Sequence, residues 1–245
     1  MATLLSIVQD VTTRIGVPKP STVADNTSRS VIQLLAIANE VGELLGKRDF
    51  KSLERRVTFT STGSELQGAV STILPEADPA SPRVIGETAW DLTSAMYMGN
   101  VPSPQEWEFR KVRNITGPTY RFRLMTDPDT LDNSIYLNPA PAAGHSMGLE
   151  YFSNFWCKSE AGEGQTAFAA DTDILLLPEA CFKAEMKWRW KREKGLPYDD
   201  ERADAEELTD TAVAQSNPQG AFSIDQNTDP VLIGPWNLPD GNFNQ

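Results

Sequence analysis

Pro178-Glu179-Ala180-Cys181-Phe182-Lys183-Ala184-Glu185-Met186-Lys187-Trp188-Arg189-Trp190-Lys191-Arg192-Glu193-Lys194-Gly195-Leu196-Pro197 is the stretch on which the fold turns. Pro178 suits the start of a helix, Gly195 its C-terminal cap, and Pro197 prevents extension. Trp188 and Trp190 stand about 200° apart on such a helix, because each residue advances about 100°. A helix with indoles on opposite faces needs two packing surfaces. Bases among aromatics also suggest nucleic-acid contact, but rings on opposite faces cannot form one stacking platform. Lysines and arginines near a helix C-terminus suit its dipole and can snorkel.

The first packing surface is expected from the other end of the chain. Leu4, Ile7, Val8, Val11 and Ile15 recur at helical spacing over residues 3–15, with Thr3 as N-cap and Gly16 after the last turn. Residues 27–47 predict a longer helix, with a wide stripe of Val31, Leu34, Leu35, Ala38, Val41, Leu44 and Leu45. Its small residues Ala36, Ala38 and Gly42 would let another helix approach. The stripe serves the chain's own core, or part of it packs on a neighbouring subunit. Leu35, Trp188 and Trp190 are the candidates for such a subunit interface. Asp199 to about Val213 predicts a further, strongly acidic helix.

Between these helices the period changes. Val57-Thr58-Phe59-Thr60 alternates, as do Tyr120, Phe122 and Leu124 with Arg121 and Arg123. Strand candidates lie around Val84-Ile85, Trp90 to Met98, Ile135-Tyr136-Leu137 and Met147 to Trp156, while 61–68 and 75–82 read as turns. Ser103-Pro104-Gln105-Glu106 predicts a capping box opening a short helix. The expected fold is therefore α+β. A helical bundle takes 1–54 and 165–215, an antiparallel β domain with hairpin connections takes 55–164, and an extended C-terminal tail takes 216–245.

Composition bounds the function. The 245 residues carry 34 acids against 22 bases, for a net charge of −12, with one His and two Cys. Two cysteines make no disulfide scaffold, and one His excludes most catalytic triads and multi-His metal sites. The acidity argues against a broad grip on nucleic acid. No apolar run approaches a membrane span, and Met1-Ala2-Thr3-Leu4 carries no export signal, so a soluble protein made in the cytoplasm is expected.

Three tempting chemistries are weak. Gly144-His145-Ser146-Met147-Gly148 matches the nucleophile elbow of serine hydrolases, with Ser146 as nucleophile. That motif needs a strand before it and a helix after it, and a later His to take the proton. Here a turn precedes, a strand follows, and His145 is the neighbour of Ser146. Asp127, Asp129 and Asp132, and separately Asp171 and Asp173, offer oxygen ligands without the calcium-loop pattern. Cys157, Cys181 and His145 lack zinc-site spacing and read as buried free thiols beside a lone His. No catalytic residue, cofactor or metal is expected.

A resemblance enters with Phe168-Ala169-Ala170-Asp171-Thr172-Asp173-Ile174-Leu175-Leu176-Leu177-Pro178-Glu179, then Lys187-Trp188-Arg189-Trp190-Lys191 and Lys194-Gly195-Leu196-Pro197-Tyr198. These residues resemble the head-to-tail adaptor, or connector, proteins of tailed bacteriophages. Leu4 to Asp10 with Arg14-Ile15-Gly16-Val17-Pro18 looks like that family's first helix, and Ser103-Pro104-Gln105-Glu106-Trp107 like its middle segment. The resemblance covers roughly 1–210 in three blocks, of which the Asp-Thr-Asp to Lys-Gly-Leu block is the specific one. It implies a structural virion protein, a ring typically of twelve copies beneath the portal protein. The ring would extend the DNA channel and offer a platform to a tail nozzle or hub protein. It implies passage of DNA without sequence recognition, and no catalytic residues. The long segment after 215 departs from the family pattern. Two alternatives come from other classes: a hydrolase acting through Ser146, and a minor tail accessory protein.

Charge sharpens the tail. Residues 203–245 hold seven acids and no Lys or Arg, leaving −5 for the rest of the chain. Phe222, Ile224, Val231, Leu232, Ile233, Trp236, Leu238 and Phe243 dot a segment broken by Pro and Gly. So little apolar surface cannot offset chain entropy on its own core. These eight residues are the expected portal-binding anchors, with Val231-Leu232-Ile233 able to add a strand to a partner.

Overall fold

The computed structural model describes residues 2–101, 103–114, 120–127 and 132–216. Helices α1 (Leu4–Ile15) and α2 (Arg29–Gly46) lead through a 3-10 turn at Lys51–Leu53 into a strand-rich middle. That middle holds β1 (Glu54–Thr60), β2 (Leu66–Ala69), the short α3 (Val70–Ile73), β3 (Arg83–Val84), β4 (Trp90–Asp91), β5 (Met96–Tyr97) and β6 (Gly99–Asn100). It continues with α4 (Pro104–Val112), β7 (Arg121–Thr126), β8 (Asn133–Asn138), β9 (Ser146–Phe152), β10 (Cys157–Lys158), β11 (Gly164–Gln165) and β12 (Ile174–Leu175). Helices α5 (Glu179–Glu193) and α6 (Asp199–Ser216) follow. The fold is mixed α+β, with the N-terminal and C-terminal helices packed together as the periodicity predicts.

Local chemistry sets the helix ends. Thr3 caps α1 in a full box: its hydroxyl accepts from the Ser6 N–H and the Ser6 hydroxyl accepts from the Thr3 N–H. Gly16 closes α1 in the left-handed region at φ 73°, which a residue with Cβ rarely adopts. The Ser103 hydroxyl accepts from the Glu106 N–H, but the Glu106 carboxylate turns to Arg110 at 3.1 Å, so only half the expected box forms at α4.

Three small sheets form. One runs β1-β9-β4-β5 with β3 also on β9, one β11-β10-β12, and one β2-β8-β7-β6. All pairs are antiparallel except β6 with β7. The longest ladder, Glu54↔Phe152 to Thr60↔Ser146, joins segments far apart in sequence and is no hairpin. The stretch expected as one strand from Trp90 to Met98 folds instead as the β4–β5 hairpin. A strand, β2, begins in the stretch 61–68 expected as turns, because β8 supplies its partner from a distance, with a register shift between Leu66 and Gly68.

Two cores result. The first joins α1, α2, α5 and the last residues of α6, and takes in Phe50, Leu53, Trp156, Cys157 and Phe168. Trp156 and Cys157 thus come from the 55–164 stretch into the helical core. Gly42 and Gly46 make room for Trp156: a Cβ at Gly42 would sit 2.3 Å from its ring. Gly42 and Gly46 thus admit an indole, while α5 packs against the same helix. Trp156 meets Phe168 edge-on at 4.8 Å and lies 6.2 Å from Phe182. The second core lies under the sheets, among Val70, Leu74, Met98, Phe122, Ile135, Leu137, Met147, Leu149 and Tyr151.

Candidate interaction surfaces

Ser146 opens β9, after a turn and before a strand, and its backbone N–H donates to the Thr93 hydroxyl. His145 turns away from it. Its Nδ1 lies 2.8 Å from Asp91 Oδ2, and its backbone N–H donates to the Ser61 hydroxyl. Asp91 is fully buried and also accepts from the Thr93 and Ser94 N–H groups and the Ser94 hydroxyl. Burial pushes the Asp91 carboxyl up, and the hydrogen bonds from Ser94, His145 and Thr93 outweigh it and leave it lowered. The pair ties the β4–β5 turn to the start of β9. The Ser146 hydroxyl has no hydrogen bond among the described residues, so no Ser–His relay forms there.

Asp171 and Asp173 hold backbone rather than a cation. Asp171 Oδ1 accepts from the Val23 and Ala24 N–H groups at 2.9 and 2.8 Å. Asp173 Oδ2 accepts from the Ala169 and Ala170 N–H groups at 2.7 and 2.8 Å. Around them the main chain clasps the first helix: Leu4 N–H donates to Asp173 C=O, Leu5 N–H to Asp171 C=O, and Leu175 N–H to Ala2 C=O. The Phe168–Glu179 block therefore joins the chain's beginning to its last helices. No cluster of three potential metal ligands occurs among the described residues. Of the 127–133 loop, residues 128–131 lie outside them.

Cys157 and Cys181 are buried free thiols. Burial, with Asp173 nearby, pushes Cys157 up to about 12; burial also raises Cys181. Neither suits a nucleophile.

Both interface tryptophans are covered by their own chain, at 8% exposure for Trp188 and 4% for Trp190. Trp190 belongs to the first core, with the Lys194 ammonium 4.3 Å above its ring. Trp188 donates from Nε1 to Glu185 and stacks on Tyr198, with Arg189, Arg192 and Arg202 around its ring. Arg189 pairs with the buried Glu185 and with Glu40 of α2. The second packing surface that the 200° separation required is thus the α5–α6 turn. Nothing in the local sequence flagged Glu185 and Arg189 as buried, since charged residues normally lie outside. Leu35 is half-buried on α2 against the first core.

What remains outward is surface. Helix α6 carries seven acids and one base, and only Ala205 and Thr209 are buried. Among the described residues the large exposed apolar side chains are Ile32 and Leu44 on α2, Phe109 and Val112 on α4, and Leu66, Leu92, Leu196 and Leu208 on other elements. One open cleft, of about 320 Å³, is lined by Lys47, Asp78, Arg83 and Phe152. Its Arg83 is committed to the Gly46 and Lys47 carbonyls and to Asp49, closing the end of α2. No described helix is long and apolar enough to cross a membrane. The eight expected anchors from Phe222 to Phe243 lie outside the described residues. No protein-family model matches this chain, and no curated protein matches it.

Proposed function

We propose that the chain is a structural subunit of a bacteriophage head-to-tail adaptor. Copies stand side by side as a ring, of about twelve by the resemblance, between the portal protein and a tail nozzle or hub protein. DNA passes through without sequence recognition, and the subunit resides in the virion at the head–tail junction. The observation that supports this is how the residues of the resemblance are used. Asp171 and Asp173 clasp the bundle by backbone bonds, and Trp188 and Trp190 fill its two packing surfaces. Their chemistry is spent on architecture, which leaves surfaces and the tail to make contacts.

The tail then reaches the portal through Phe222, Ile224, Trp236, Leu238 and Phe243, and its acids favour a basic path. The decisive experiment is a quantitative copy count of this chain in purified particles. About twelve copies supports the adaptor, whereas one to three copies would make it a minor accessory protein. Removing 216–245 should abolish joining to purified portal rings; undiminished joining would show that the tail is not the connector.

A further inference from the structure

The edge of β1 is open. It pairs with β9 on one side only, over seven residues in unbroken register. Ser61 N–H donates to His145 C=O, and Ser153 N–H to Leu53 C=O, which fixes the phase of the ladder. Odd-numbered residues bond to β9, so Arg56, Thr58 and Thr60 direct N–H and C=O away from it. These groups have no partner among the described residues. β1 carries charge at one end, in Glu54, Arg55 and Arg56, but it has no Pro and no bulge, and no described strand pairs with its outer side. On its inner face Val57 and Phe59 pack on the second core and stay half-buried. A neighbouring strand would finish covering them.

We propose that β1 is a strand-acceptor site and that Val231-Leu232-Ile233 of the same chain fills it. Helix α6 delivers the segment there. Ala212 and Val213 pack on the core that contains Phe50 and Leu53, and Asp210 pairs with Arg48 at 3.7 Å. The helix therefore ends beside the residues that lead into β1. The fourteen residues 217–230 can span about 45 Å, more than the roughly 23 Å length of the strand. The chemistry matches on three counts. The β-branched Val231 and Ile233 share one face and suit Val57 and Phe59, while Leu232 lies beside Thr58. Asp229, just before the triplet, meets the Arg55-Arg56 end of β1 when the strands run parallel. Pro230 and Gly234-Pro235 bound the triplet and limit the added strand to its length.

The inference does not rest on the adaptor reading, because its test uses the isolated full-length chain. Hydrogen exchange of the Thr58 and Thr60 amides, which would meet the Val231 and Ile233 carbonyls, should be at least tenfold slower in the intact chain than in one ending at Ser216. Ile233→Pro, which leaves the folded body untouched and removes the donor to Thr58 C=O, should show the same acceleration. Equal rates in all three proteins would overturn the proposal. A Thr58→Cys, Leu232→Cys chain treated with a short bis-maleimide at low micromolar concentration should link within one molecule; Cys157 and Cys181 are too buried to compete. A dimeric product would make a second copy the occupant, and protection appearing only on adding portal would make a portal strand the occupant. Either result overturns docking within the chain and leaves the ring reading standing.

Discussion

Gly42 shows how much one missing side chain decides. Alanine in a helix interior is favoured over glycine by about 1 kcal/mol. Here the added Cβ would lie 2.3 Å from the Trp156 ring. The indole cannot retreat, because Phe168 meets it edge-on and Phe182 lies beyond. Overpacking typically costs about 1–3 kcal/mol, so strain outweighs propensity. Gly42→Ala should lower stability by about 1–2 kcal/mol in urea unfolding, and a more stable variant would show that the indole has room to move. Asp91 is decided by charge. Its carboxyl sits below its ordinary value when folded, despite burial, because Ser94, His145 and Thr93 hydrogen-bond to it. Its contribution is therefore present above the unfolded carboxylate range, near pH 4, and is lost as pH falls through the folded value. Asp91→Asn should cost about 1–3 kcal/mol at pH 7. The gap between wild type and variant should narrow by pH 3; a gap independent of pH would assign the loss to shape instead of charge.

Helices α2 and α6 have equal length, 18 residues, and opposite footing. Helix α2 buries eight residues, α6 only Ala205 and Thr209, and α6 adds a net charge of −6 that repels itself. The narrow seam predicts that α6 opens before the rest of the fold. Cys181 reports it, because its sulfur lies 3.7 Å from Leu208 C=O under that helix. At moderate urea, Cys181 should react with a thiol reagent well before Cys157, whose site lies under Trp156 and α2. Simultaneous reaction of both thiols would mean that α6 opens only with global unfolding. The helices were legible because their signals are local: Thr3, Gly16, Pro178 and Gly195 punctuate them, and apolar spacing gives the faces. The sheets were legible only as strand-like stretches. Leu66–Ala69 reads as a turn until β8 is placed beside it, and the Thr60↔Ser146 ladder depends on a distant partner. The surfaces were least legible. That Trp188 is covered by Tyr198 and three arginines, and that β1 has an open edge, follow from packing across elements rather than from spacing.

At the scale of the whole molecule, shape and charge both bear on whether copies associate unaided. A stable interface buries about 800 Å² on each partner around an apolar centre. The exposed large apolar residues among those described instead lie one or two to an element, on α2, β2, α4, α6 and two loops. A ring also needs two different patches per subunit, each facing its counterpart on the next copy. Like-charged copies, each at −12 overall, repel before such patches meet. The isolated protein should therefore be a monomer near 27.0 kDa by light scattering at micromolar concentration. Purified portal rings should change that outcome by holding copies at fixed spacing, which replaces many separate encounters with neighbour-to-neighbour closure. Raising salt from about 0.1 to 0.5 M shortens the Debye length from about 10 Å to roughly 4–5 Å. If repulsion is the barrier, salt should favour association of the free chain, and the acidic α6 makes that dependence steep. A stable twelve-copy ring without portal at low salt would show an interface stronger than these dispersed residues provide.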